Sequence, residues 1–176
     1  MAPVIAACFV SACGTDIDTH HQGVPPAGAT DLVVGRVEAA DPQWEWLTRV
    51  YRRALVRHLR ESGAFATVEW PAPAHLDGDE LVLSGTVLTV DEGNELVRFA
   101  IGFGAGDPTL ASRIFVTDAA GRPLADFEQS SLFAAEGGGS HFNPVFMEDE
   151  MDAFARETAD AVVRWRQGGT LEGGWY

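Results

Sequence analysis

Catalysis needs nucleophiles, proton carriers or metal ligands at fixed spacing, and this chain offers few. Its five histidines are His20, His21, His58, His75 and His141, and its two cysteines, Cys8 and Cys13, both fall within the first thirteen residues. No G-x-S-x-G, H-E-x-x-H or paired C-x-x-C pattern occurs, so the common serine-hydrolase, zinc-peptidase and zinc-thiolate chemistries have no signature here. His20-His21 stands near Asp16 and Asp18, but in a run rich in Gly, Pro and Thr that gives a metal no fixed geometry. Asp77, Asp79 and Glu80 lack the spacing of an EF-hand loop, while Glu148, Asp149, Glu150 and Asp152 read as the acidic load of a helix N-terminus. Ser140-His141 follows three glycines and reads as a connector, and His58 reads as a packed residue at the edge of an apolar stripe. The expectation is therefore no catalytic set, no metal and no cofactor.

Glycines supply the next pattern, Arg98-Phe99-Ala100-Ile101-Gly102-Phe103-Gly104-Ala105-Gly106. A dinucleotide fingerprint would continue into a helix whose first amides face the pyrophosphate, but here Asp107-Pro108 follows and then a strand. Without a single Lys in the chain the P-loop is excluded as well. Gly102, Gly104 and Gly106 therefore read as a structural motif, a bend or bulge where another backbone comes close.

Charge narrows the possible partners. With 12 Lys+Arg against 26 Asp+Glu the net charge is −14 at pH 7, which opposes general binding to nucleic-acid phosphates. The cations are concentrated, however: five of the twelve, Arg49, Arg52, Arg53, Arg57 and Arg60, lie within one predicted helix. A guanidinium face of that kind suits an anionic headgroup or an acidic partner protein, with a solvated helix face as the plainer alternative.

Met1 to Cys13 carries no charged side chain, is too short to span a bilayer and suits the apolar core of a signal peptide. It ends in Val10-Ser11-Ala12-Cys13, which resembles the lipobox of bacterial lipoproteins, where the cysteine is diacylated and becomes the new N-terminus. No Lys or Arg precedes Cys13, so the start as written is expected to lie inside a longer signal peptide. Gly14-Thr15 rather than Asp after the cysteine points to the outer membrane, with the domain facing the periplasm. Residues 14–30 read as a flexible tether, 31–168 as a single domain and 169–176 as a tail.

Within that domain, Leu32–Val37 is apolar on both faces and predicts an internal strand. A helix follows, with Asp41 as N-cap, Pro42 in the first turn, an apolar stripe from Leu47 to Leu59, and Gly63 just past its end. Strands are predicted over 65–70, 80–90, 96–103, 110–117 and 124–133. Turns at Asp91-Glu92-Gly93-Asn94 and Asp118-Ala119-Ala120-Gly121 join the last four. The last strand lacks a clean apolar face and reads as an edge. A final helix starts at Asn143-Pro144 and buries Met147, Met151, Phe154, Thr158, Ala161, Val162 and Trp165. The order β-α-β-β-β-β-β-α predicts an α+β fold: a mostly antiparallel sheet of five to six strands with both helices on one face.

Residues Asn94 to Ser131 carry Arg98, Ile101-Gly102-Phe103-Gly104-Ala105-Gly106, Asp118-Ala119-Ala120-Gly121 and Phe127. Together with Gly63-Ala64-Phe65 and Leu83-Ser84-Gly85 they resemble the bacterial lipoprotein family known as domain of unknown function 4410. The layout is more distantly similar to small periplasmic lipoprotein domains that act as scaffolding or assembly modules. The resemblance implies no catalytic residues and no nucleotide. It implies a non-enzymatic structural or accessory module, held to the membrane through lipidated Cys13, with an envelope protein as partner. A protein that binds an anionic or peptidic ligand is the alternative, and an enzyme with an unrecognised site the third.

Overall fold

The computed structural model describes residues 15–91, 109–132 and 144–171. In chain order these form β1 (Thr15–Gln22), β2 (Asp31–Ala39), a 3₁₀ turn (Pro42–Trp44), α1 (Glu45–Glu61), β3 (Thr67–Glu69), β4 (Leu81–Asp91), β5 (Thr109–Asp118), β6 (Pro123–Leu132) and α2 (Pro144–Arg166). The six strands make one sheet in the order β1-β6-β5-β4-β2-β3. The fold is α+β. The sheet is mixed: β2 runs parallel to both β3 and β4, while β4, β5, β6 and β1 pair antiparallel. Parallel neighbours need a crossover, and α1 provides it between β2 and β3.

Alternation along the strands places one apolar set under the helices. Leu32 and Val34 of β2, Leu81, Leu83 and Val87 of β4, Leu110, Ile114 and Val116 of β5, and Ala125 and Phe127 of β6 are buried there. From above, α1 contributes Leu47, Tyr51, Leu55 and Leu59, and α2 contributes Met147, Met151, Phe154, Val162 and Trp165. The Tyr51 and Phe154 rings meet with centroids 5.9 Å apart.

Local signals work as their chemistry dictates. Asp41 caps the 3₁₀ turn by accepting from the Gln43 amide at 3.0 Å. At the far end of α1, Gly63 takes φ +64°, the left-handed conformation of a residue just past a helix. In the β5–β6 turn, Asp118 accepts from the Ala120 and Arg122 amides at 3.0 and 2.8 Å, and Gly121 takes φ +79°.

Four expectations need correction. Residues 15–22, read as part of a tether, form β1, paired along β6 from Thr15↔Ser131 to Gln22↔Ala125. The connection that follows is also bound to the domain: the Gly23 amide donates to Leu124 O, Ala29 is buried, and Arg166 donates to Ala29 O at 2.7 Å. Only Ile17 of β1 enters the core, which is why its alternation reads as linker composition. Since β1 covers it, β6 is internal rather than an edge. Its core face carries Gln129 and Ser131, and Gln129 is held by α2 rather than by apolar contact. The predicted tail begins packed: the Leu171 amide donates to Gln22 Oε1 at 2.9 Å and the Leu171 side chain is buried. The short strand predicted over 65–70 shrinks to Thr67–Glu69. The strand predicted over 96–103 and the Asn143 cap lie outside the described residues.

Candidate functional site

The helix that carries the five arginines distributes them over its two flanks and its solvent face. Toward β3, Arg60 donates from Nε and Nη2 to Val68 O at 3.0 and 2.8 Å. On that same flank the Arg52 guanidinium lies over the Trp70 ring, 5.2 Å from its centroid. Toward α2, Arg57 pairs with Asp152. His58 joins this cluster, with Nε2 3.3 Å from Asp152 Oδ1 and Nδ1 3.7 Å from Glu61. Arg49 and Arg53 are exposed and have no ion-pair partner among the described residues. The anion-docking face expected from sequence thus contracts, because three of its five members already hold the fold together.

Between α1 and α2 lies a groove of about 320 Å³ lined by Val50, Arg53, Ala54, Arg57, Glu148, Asp149 and Asp152. One wall is cationic and the other anionic, so the groove matches a group bearing both charges better than a simple anion. Glu150, on α2 but not among the residues that line the groove, has its carboxyl pushed above the usual range by burial and then by the neighbouring Asp149 carboxylate.

The remaining perturbed carboxyls are scattered. Asp126, on the sheet face away from the helices, accepts two bonds from Arg113 at 2.9 and 2.8 Å, and this pairing holds it below the usual carboxylate range. Asp118 is held low chiefly by the Arg122 amide in the β5–β6 turn, and Glu80 by the Asp77 amide in the turn before β4. These three share no cavity with the interhelical groove. His75 is exposed in the segment before β4, and His20, exposed on β1, stands 3.9 Å from Glu128. Among the described residues no three His, Cys, Asp or Glu converge to hold a metal ion.

Sequence reasoning missed one constellation. Thr158 of α2 donates to Gln129 Oε1 of β6 at 2.5 Å and lies 2.8 Å from the Tyr51 hydroxyl of α1. Gln129 Nε2 in turn donates to Phe154 O at 3.0 Å. All three side chains are fully buried, and burial pushes the Tyr51 phenol up to about 12. The signal was present in the polar Gln129 at an inward-facing position of β6. Cys13, Gly102, Gly104, Gly106 and Ser140-His141 lie outside the described residues.

Among solved structures the fold is similar to PelC from Paraburkholderia phytofirmans, whose crystals contain a dodecamer. The match has 11% identity and a TM-score of 0.53, and covers 92% of this chain and 100% of that one. A single-residue variant of the same dodecamer matches at 14% identity with a TM-score of 0.51 and the same coverage. At such identities the likeness is one of fold. No curated protein matches the chain. Residues 38–137, from the end of β2 into the segment after β6, match the family described as domain of unknown function (DUF4410), and the chain belongs to that family.

Proposed function

We propose that this chain is a lipid-anchored module of the bacterial cell envelope, attached through Cys13 to the outer membrane, facing the periplasm and working without catalysis as a structural or accessory part of an assembly. The observation that carries the reading is Val10-Ser11-Ala12-Cys13 at the end of an uncharged apolar run. Thr15, where β1 begins, follows Cys13 by two residues, a reach of at most ~7–8 Å, so a lipid on Cys13 would hold the sheet against the bilayer. The fold likeness to a PelC dodecamer supports assembly as the mode of action. The test is metabolic labelling with a palmitate analogue, followed by crosslinking and pull-down from membranes, comparing wild type with Cys13→Ala. Labelled wild type that stays with the membrane, and unlabelled Cys13→Ala that leaves it, support the reading. Label on both chains, or on neither, refutes it.

A second reading, a binding protein for a peptidic ligand, is favoured by the two-signed groove between α1 and α2. Calorimetric titration with short zwitterionic peptides tests it. Binding that Arg53→Glu abolishes supports it, and binding indifferent to that change refutes it.

A further inference from the structure

His58 stands where α1 meets α2, its Nε2 3.2 Å from Arg57 Nη2 and 3.3 Å from Asp152 Oδ1. Arg57 Nη2 donates to that same carboxylate oxygen, so a guanidinium, an imidazole nitrogen and one acceptor form a closed triangle. The other ring nitrogen, Nδ1, lies 3.7 Å from Glu61. Arg53, one turn before Arg57, lines the groove with Glu148 and Asp149 of α2. Arg156, one turn after Asp152, is exposed, and Arg60 is turned away to Val68 O on the β3 flank.

A neutral imidazole has one N–H and one lone pair. With Nδ1–H toward Glu61, Nε2 accepts, and Arg57 Nη2 can donate to it and to Asp152 together. A protonated imidazole keeps no lone pair and donates from both nitrogens. Two positive N–H groups then stand 3.2 Å apart before one oxygen, and one of them must yield. The side chain free to yield is Arg57, which is long and 51% exposed, whereas His58 is 16% exposed and faces Glu61 at its other nitrogen. Arg57 also lines the groove between the helices, so leaving Asp152 turns its guanidinium toward whatever the groove holds.

We infer that His58 is a proton-driven selector for this groove: neutral, it leaves Arg57 on Asp152; protonated, it takes Asp152 and releases Arg57 to a ligand carboxylate. The inference rests on the second reading above, in which the groove binds a peptidic ligand, and adds how that binding is regulated. Released Arg57 joins Arg53 as a second cation on the α1 wall. Histidine changes its charge between about pH 5 and pH 8, so the carboxylate is held more tightly as pH falls through that range. The coupling is reciprocal: a ligand that engages Arg57 favours the protonated ring by the same factor.

The test is calorimetric titration of the full chain with dialanine at about pH 5.5 and about pH 7.5, either side of the histidine range, for wild type and His58→Gln. Circular dichroism at both values confirms the fold. Wild type should bind roughly fivefold or more tightly in acid, and His58→Gln about equally at the two values. Without peptide, the Arg57 Nε–H nuclear magnetic resonance signal of wild type should move between the two values, and that of His58→Gln should stay. Equal binding by wild type at both values, a pH effect that survives His58→Gln, or an Arg57 signal indifferent to pH overturns the selector and leaves the peptidic reading standing. Dialanine that binds at neither value refutes that reading, and the selector falls with it.

Discussion

Thr158→Val probes the buried junction of sheet and helices with little change of shape. Valine fills nearly the volume of threonine, so the packing around it is kept and only the hydroxyl is lost. That hydroxyl lies 2.8 Å from the Tyr51 hydroxyl and donates to Gln129 Oε1 at 2.5 Å, and both partners are fully buried. Removing it strands two polar groups, at about 1–3 kcal/mol each, so the expected destabilisation is roughly 2–6 kcal/mol. For a domain of this size that lowers Tm by roughly 4–24 °C. Urea unfolding followed by tryptophan fluorescence and circular dichroism measures it, with the slope held constant as the check for two-state behaviour. Tyr51→Phe added to Thr158→Val removes one stranded group, so the double variant should be no less stable than Thr158→Val alone. A Thr158→Val protein within about 0.5 kcal/mol of wild type would refute the reasoning. So would a double variant in which the two costs simply add.

Other consequences follow from the same core and its surface. Gly85 faces Ile114 closely: a Cβ there would stand 2.8 Å from Ile114 Cδ1 and 3.0 Å from Arg113 O. Gly85→Ala should therefore cost roughly 1–3 kcal/mol in urea unfolding, and a neutral result would show that the β4–β5 pair can open. The Tyr51 phenol titrates near 12 when folded and near 10 when unfolded. Its contribution is whole below pH 10 and lost as pH rises toward 12, roughly 2–3 kcal/mol in all, and Tyr51→Phe should flatten that alkaline slope. Asp126 shows the reverse sign. Arg113 holds its carboxyl low, so the stabilisation is present above about pH 4 and lost as pH falls through the native pKa. An acid-unfolding profile of Asp126→Asn should be flatter than that of wild type, and an unchanged profile would show the pair to be idle.

The helices were legible because their signals are local and redundant. In α1 an apolar stripe from Leu47 to Leu59 and Gly63 past its end agree, while the Asp41 cap starts the 3₁₀ turn before it rather than α1 itself, and in α2 the stripe from Met147 to Trp165 marks the helix in the same way. The Asp118-to-Gly121 turn was legible because carboxylate capping and a left-handed glycine are properties of four residues alone. Strand β1 was not, because its stability comes from pairing with β6, more than a hundred residues away, and from one inward apolar residue, Ile17. The same long-range dependence hid the role of β6: Gln129 looked like an edge residue until α2 supplied Phe154 O and Thr158 as partners. The concentration of arginines in α1 is a fact of the sequence, but spacing alone could not show that Asp152, Val68 and Trp70 engage three of the five.

Intact mass spectrometry of the chain isolated from membranes of its bacterial host tests the central claim most directly. The account predicts a mature protein that begins at Cys13 and carries the added mass of a diacylglyceryl group on that residue. A chain that keeps residues 1–12, or begins at Cys13 without added lipid mass, would contradict it.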